Sequence, residues 1–278
     1  MPPRILMCPP DHYGIEYEIN PWMNRSLGAV RELAFTQWKN LHAALVGLGV
    51  TVEALAPQPG LPDLVFTANA GLVVRDTFLS SRFKHDVRAR ESPIFDAWFA
   101  AHGFQVEHLP SDIYHEGAGD ALFCGDVLYA GYRIRSDALA HQWVARRFGV
   151  RVLPLELVNP RFYHLDTCFC PLAPGTALYF PDAFDAYGRR VLTTHIPTLI
   201  PVAEEEAHRF GCNAVVVGTT VVHNSRCPGM TRDLAAHGYR SVEVELDEFL
   251  KAGGSAKCLT LRLDGEEAAG WKTAPPTG

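Results

Sequence analysis

The sequence predicts an α/β domain built from one strand–strand–helix–strand unit used about five times. Three observations carry this expectation. Five glycines end helix-like segments and lead into strand-like runs, apolar segments pair at hairpin spacing between them, and no Pro/Ser-rich linker cuts the chain.

The glycines come first. Gly49, Gly103, Gly149, Gly211 and Gly238 each follow an apolar-periodic stretch and precede a run such as Val50-Thr51-Val52 or Val150-Arg151-Val152. Glycine ends a helix there because the left-handed conformation costs it little. The helices before them are legible too. Trp38, Leu41, Leu45 and Leu48 form one stripe, and 94–101, 138–148 and 231–237 are shorter versions. Hairpins are expected where Leu64–Val74 meets Thr77–Ser81, and where Ala121–Cys124 meets Val127–Tyr132 across a Gly125-Asp126 turn. Such units either stack as a solenoid or close in a ring, and the missing linker favours closure. A plain α/β sandwich with chance glycine caps is the alternative. Residues 1–263 are expected to form one domain, and the polar, Pro/Gly-rich Asp264–Gly278 a disordered tail.

Composition narrows the partners. With 278 residues, 47% of them hydrophobic, the chain can bury a full core. A net charge of −6 with scattered Lys and Arg argues against nucleic acid as a partner. No secretory h-region and no run of 18 apolar residues is present, so no membrane association is expected. The seven cysteines form no CxxC pair and no His cluster has zinc spacing, so neither a metal nor a cofactor is expected. Dispersed thiols of this kind suit a reducing compartment, the cytoplasm.

Several segments carry groups capable of chemistry. Cys258 follows Gly253-Gly254-Ser255-Ala256-Lys257 at the start of an apolar strand. Turn N–H groups and Lys257 there would favour a thiolate; the plain alternative is a packed core cysteine. His164 and Asp166 would share one face if their segment is a strand, so the carboxylate can tune the imidazole. Glu116 and Asp120 flank Gly117-Ala118-Gly119, a stretch that lets carboxylates approach a small cation; a solvated turn is the alternative. Asn69 lies in the apolar Asp63–Gly71 run and needs a partner if buried. The turn-rich, aromatic segments 8–13 and 19–23 would form a lid or pack the rim. Singly these are weak signals, but all fall at strand ends of successive units.

The order of these motifs, from the Asp63–Gly71 run to Leu261, resembles the guanidino-group-modifying (pentein) superfamily of arginine deiminases, dimethylarginine dimethylaminohydrolases and amidinotransferases. The resemblance implies a five-bladed, pseudo-symmetric α/β propeller of ββαβ units around a central pocket. It implies Cys258 as nucleophile with His164 and Glu116 as catalytic partners, and Asn20, Arg88, Asp120 and Asp166 as substrate contacts. Asn69 stands where deiminases and dimethylaminohydrolases carry an acid, and the latter also lack an acid at the place of Asp166. Both features, with Met7–Tyr13 and Asn20-Pro21-Trp22-Met23, resemble arginine dihydrolases of the cyanobacterial type, which convert L-arginine to ornithine, two ammonia and carbon dioxide. In that group the asparagine matching Asn69 is tied to the second hydrolysis. The expectation is therefore an enzyme acting on L-arginine, with self-association left open. A deiminase or dimethylargininase giving citrulline, an amidinotransferase, and a non-catalytic arginine- or ribosome-binding ring are the rivals.

Overall fold

The computed structural model describes residues 2–265. Among the described residues lie five three-stranded sheets, each an antiparallel pair with a third strand added in parallel. The first four sheets run in chain order. They comprise β3 (Gly71–Val74), β4 (Thr77–Ser80) and β5 (Gln105–Glu107); β6 (Ala121–Cys124), β7 (Val127–Tyr132) and β8 (Arg151–Glu156); β9 (Phe169–Ala173), β10 (Thr176–Tyr179) and β11 (Thr198–Pro201); and β12 (Val215–Val217), β13 (Thr220–Asn224) and β14 (Arg240–Val244). The fifth is assembled from both ends of the chain: β15 (Leu261–Arg262) pairs antiparallel with β1 (Arg4–Met7), which runs parallel to β2 (Thr51–Ala54). Pairing Leu6 with Leu261 closes the ring and settles the choice between solenoid and propeller.

Burial falls across each sheet. The hairpin strands β3, β4 and β6 are buried throughout, whereas β2, β5 and β14 are largely half-buried or exposed. Helices connect the second to the third strand of each sheet. In Arg31–Gly47, Ala34, Trp38, Leu41 and Leu45 face inward, and the chain leaves through Gly49 at φ 81°. Ser92–Ala101, Ala138–Phe148, Ala186–His195 and Pro228–Ala236 repeat the arrangement. Asp185 starts the fourth of these by accepting the N–H groups of Tyr187 and Gly188.

Three local expectations are corrected. The Leu64–Val74 strand shrinks to Gly71–Val74, because residues 62–65 and 67–70 coil into 3₁₀ turns that carry Asn69 inward. His164 and Asp166 do not share a strand face: Leu165–Thr167 is a 3₁₀ turn, and His164 meets Glu116 while Asp166 meets Cys258. Gly211 is not a helix-end junction between second and third strands. The helix Ala186–His195 enters β11 through Ile196-Pro197, and Gly211 lies in the turn before β12, where Phe210 takes the positive φ of 54°. The periodic cue was right in four places and misassigned in one. Of the expected tail, Asp264 pairs with Arg262, and residues 266–278 lie outside the described residues.

Candidate active site

The segment just before the innermost strand of each sheet reaches the centre of the ring. Asn69 precedes β3, Glu116 precedes β6, His164 and Asp166 precede β9, Asn213 precedes β12 and Cys258 precedes β15. All six are buried. Pseudo-symmetry thus brings together positions up to 189 residues apart (258 − 69). Short residues line the path: a Cβ on Gly119 would sit 2.2 Å from Asn69 Nδ2, and one on Gly117, at φ 63°, would strike the backbone of Gly71.

The imidazole side of the centre is saturated with charge. His164 Nε2 lies 2.7 Å from Glu116 Oε2, and Arg135 Nη1 donates to the same oxygen at 2.9 Å. Glu116 Oε1 accepts the Lys84 N–H at 3.1 Å. Arg135, His164 and these hydrogen bonds hold the Glu116 carboxyl far below the usual range despite its burial. His164 thus sets Nε2 against a carboxylate and Nδ1 3.5 Å from Asn69 Nδ2. The orientation of that amide is fixed from behind. Arg88 Nη1 donates to Asn69 Oδ1 at 2.9 Å, and Glu91 grips the Arg88 fork through both carboxylate oxygens at 2.8 Å.

The sulfur side is held by neutral groups and one acid. Asn213 Nδ2 lies 3.1 Å from Cys258 Sγ, and Asp166 Oδ2 lies 3.3 Å from it. Burial and Asp166 push the Cys258 thiol well above its ordinary range. The turn N–H groups of Ser255 and Cys258 point to Asn213 Oδ1, and Lys257 faces a different cavity.

A pocket of about 240 Å³ opens onto the sulfur and is lined by Asn20, Asp63, Asn69, Arg88, Arg135 and Tyr163 beside Cys258. The 19–23 segment contributes its rim: Ile19 and Met23 line the pocket, and Asn20 is pinned by its bond to the Ala252 carbonyl. Asp63 sets one negative group against two guanidinium groups, and burial raises its pKa. Such a wall suits a zwitterion with a planar cation at its far end. Asp120 behaves differently from its expected role. Both its oxygens are taken by protein donors, the Leu165 N–H at 3.0 Å and the Ser136 hydroxyl at 2.6 Å, and it braces the His164 turn from outside the pocket.

Asp63, Arg135, Tyr163 and Asn213 are site residues that the sequence argument did not single out. Asp63 had a readable cue, as a carboxylate beside an apolar run. Arg135 and Asn213 had none, since each is an ordinary polar residue in a connecting turn.

Comparison with known proteins agrees with this geometry. Residues 15–264 match the family described as N,N dimethylarginine dimethylhydrolase, eukaryotic. The bifunctional arginine dihydrolase/ornithine cyclodeaminase ArgZ of Synechocystis is 49% identical over 94% of this chain and 37% of its own. The N(G),N(G)-dimethylarginine dimethylaminohydrolase of Mycobacterium tuberculosis is 39% identical over 94% of this chain and 85% of its own. A crystal structure of the N-terminal domain of ArgZ bound to product superposes with a TM-score of 0.92 at 48% identity, covering 95% of this chain and 98% of that one. The chain therefore spans little more than a third of the length of its bifunctional relative, matching that relative's N-terminal domain. No helix among the described residues is long and apolar enough to cross a membrane. A match over nearly the whole described chain, with a relative of similar length at 39% identity, makes this protein a member of the dimethylarginine dimethylhydrolase family.

Proposed function

We propose that this chain hydrolyses the guanidinium group of L-arginine through Cys258 and carries the reaction on to ornithine, as an arginine dihydrolase. One observation carries the reading: the Cys258 sulfur opens onto a small charged pocket whose wall bears a neutral amide, Asn69, backed by the His164–Glu116 pair. The likeness to the N-terminal domain of ArgZ, described as an arginine dihydrolase, supports the same substrate. Residues 1–263 would act as a single catalytic domain. The seven free, buried thiols suit a cytoplasmic setting, and self-association is left to direct measurement.

In the proposed mechanism, Arg135 and Arg88 receive the substrate carboxylate and Asp63 its ammonium, while Asp166 and Glu116 face the guanidinium. The incoming cation favours ionisation of the thiol, and the Cys258 proton passes to His164. The sulfur bonds to the guanidinium carbon. His164 returns the proton to the departing nitrogen, ammonia leaves, and a thiouronium remains. Water, with His164 as base, replaces the sulfur and gives the ureido product. A second hydrolysis yields ornithine and carbamate, which breaks down to ammonia and carbon dioxide. The sum is arginine plus two water to ornithine, two ammonia and carbon dioxide.

Asn69 decides whether the second step proceeds. An amide accepts from Arg88 and donates toward His164 Nδ1, leaving that nitrogen able to take a proton. A carboxylate would accept from both and hold the ring as imidazolium. The test is to incubate the protein with arginine and quantify ornithine, citrulline and ammonia over time. Two ammonia per ornithine, lost in Cys258→Ala, is expected; citrulline alone would assign a deiminase and overturn the dihydrolase reading.

A further inference from the structure

Four of the five sheets supply a residue to the site that the sequence resemblance anticipates; the sheet β12–β13–β14 supplies none. The position it brings to the centre is Asn213, two residues before β12 and fully buried. Its side chain makes four hydrogen bonds. Oδ1 accepts the N–H groups of Ser255 and Cys258, each at 3.1 Å, and Nδ2 donates to the Asp166 carbonyl at 3.0 Å and to Cys258 Sγ at 3.1 Å. Its backbone carbonyl accepts the Lys257 N–H at 3.2 Å. We propose that Asn213 is a catalytic residue of this site: its amide N–H stabilises the negative charge on Cys258 Sγ, while its carbonyl oxygen fixes the turn that aims the sulfur.

The chemistry follows from what else faces the sulfur. Burial opposes ionisation, and so does Asp166, an acceptor 3.3 Å away. The cations Arg88 and Arg135 line the same pocket but are engaged by Glu91 and Glu116, and Asp63 adds a further negative charge. Asn213 Nδ2 is therefore a side-chain donor held on the sulfur by the fold itself, beside the Ser255 backbone. A neutral amide suits the task. It strengthens as a donor when the sulfur becomes anionic, and it adds no cation that would repel the guanidinium. A carboxamide also presents donor and acceptor on two separate atoms, which a lysine, a donor alone, or the single oxygen of a serine in this place would not do.

The inference rests on the proposed role of Cys258 as nucleophile, and its test is read on the thiol without substrate, so the two can fail separately. Labelling of Cys258 by iodoacetamide is followed by peptide mass across pH 6–10 in the parent, Asn213→Ala and Asn213→Asp. A hydrogen bond to a charged group contributes about 1.5–3 kcal/mol, so Cys258 labelling at neutral pH should fall roughly 10- to 100-fold in Asn213→Ala, with the inflection moved to higher pH. Asn213→Asp keeps an acceptor for the turn N–H groups but puts a carboxylate on the sulfur, and should be slower still. Variants that melt lower yet keep the parent's pH profile would show a purely structural role and overturn the proposal. Should both variants fail to fold, the side-chain amide resonance of Asn213 in the parent serves instead. It should shift as Cys258 ionises and lose that shift in Cys258→Ala; a resonance indifferent to pH would equally overturn the proposal.

Discussion

Two cavities share the turn 257–260 and could hardly be less alike. The larger, about 480 Å³, is walled by Leu122, Phe169, Ala214, Val215 and Val216, with Lys257 and Arg262 beside it. The smaller, about 240 Å³, holds Cys258, Asp63, Asn69, Arg88 and Arg135. Size and apolar lining alone would point to the first as the ligand site. What marks the second is buried chemistry: a thiol, a carboxylate, an amide and two guanidinium groups converging on one small volume. The same turn faces both, so residues one position apart belong to different worlds. Cys258 belongs to the charged pocket, and Lys257 and Thr260 to the apolar one.

The comparison breaks if substitutions around the charged pocket leave the chemistry untouched. The largest effect is expected from Glu116→Gln. It removes the negative charge facing both His164 and Arg135, and kcat should fall roughly 10²- to 10⁴-fold, the usual worth of acid–base catalysis. A buried Arg135 left without its partner should also lower stability by about 3–5 kcal/mol, read from urea unfolding. Next comes Asn69→Asp. Arginine consumption should persist while the ornithine-to-citrulline ratio drops by roughly ten-fold or more, about one charged hydrogen bond's worth of discrimination. An unchanged ratio would remove Asn69 from the choice of product.

A third prediction concerns pH. Burial raises Asp120 from 3.8 to about 6. Its protonated form is thus favoured by folding: the stability it contributes is whole below pH 3.8 and is lost as pH rises through about 6. Asp120→Asn should therefore gain on the parent between pH 4 and pH 7, by on the order of 2 kcal/mol. A difference that does not vary with pH would contradict this. The smallest effect tests the other cavity. Val216→Ala should cost about 1–2 kcal/mol in unfolding free energy through lost burial, with kcat unchanged within about two-fold. A large loss of activity there would tie the apolar cavity to catalysis and dissolve the contrast.

Legibility in the sequence followed the physics of each signal. The glycine at 49 announced its helix end because a left-handed turn selects for a residue without Cβ, and the alternation after it announced a strand. Cys258, His164 and Glu116 are weak signals singly, and only their order along the chain, which resembles that of the pentein superfamily, picked them out. The 3₁₀ turns at 62–65 and 67–70 were hidden inside an apolar run, since a buried turn and a buried strand both read as continuous hydrophobicity.

The repeating strand–strand–helix–strand unit was legible in the amino-acid order alone, and the five-bladed ring and the trio Cys258, His164 and Glu116 were what the resemblance of that order to a known superfamily implied. Those follow from local conformational preference and side-chain chemistry, which each residue carries wherever it sits. The folded arrangement alone turns His164 Nε2 toward Glu116, sets Asp120 behind the His164 turn, raises the pKa of Cys258 and brings Asn213 onto its sulfur. Those are properties of distance and desolvation between segments far apart in the chain, and they exist once ring closure by β1 and β15 brings the five turns to one centre.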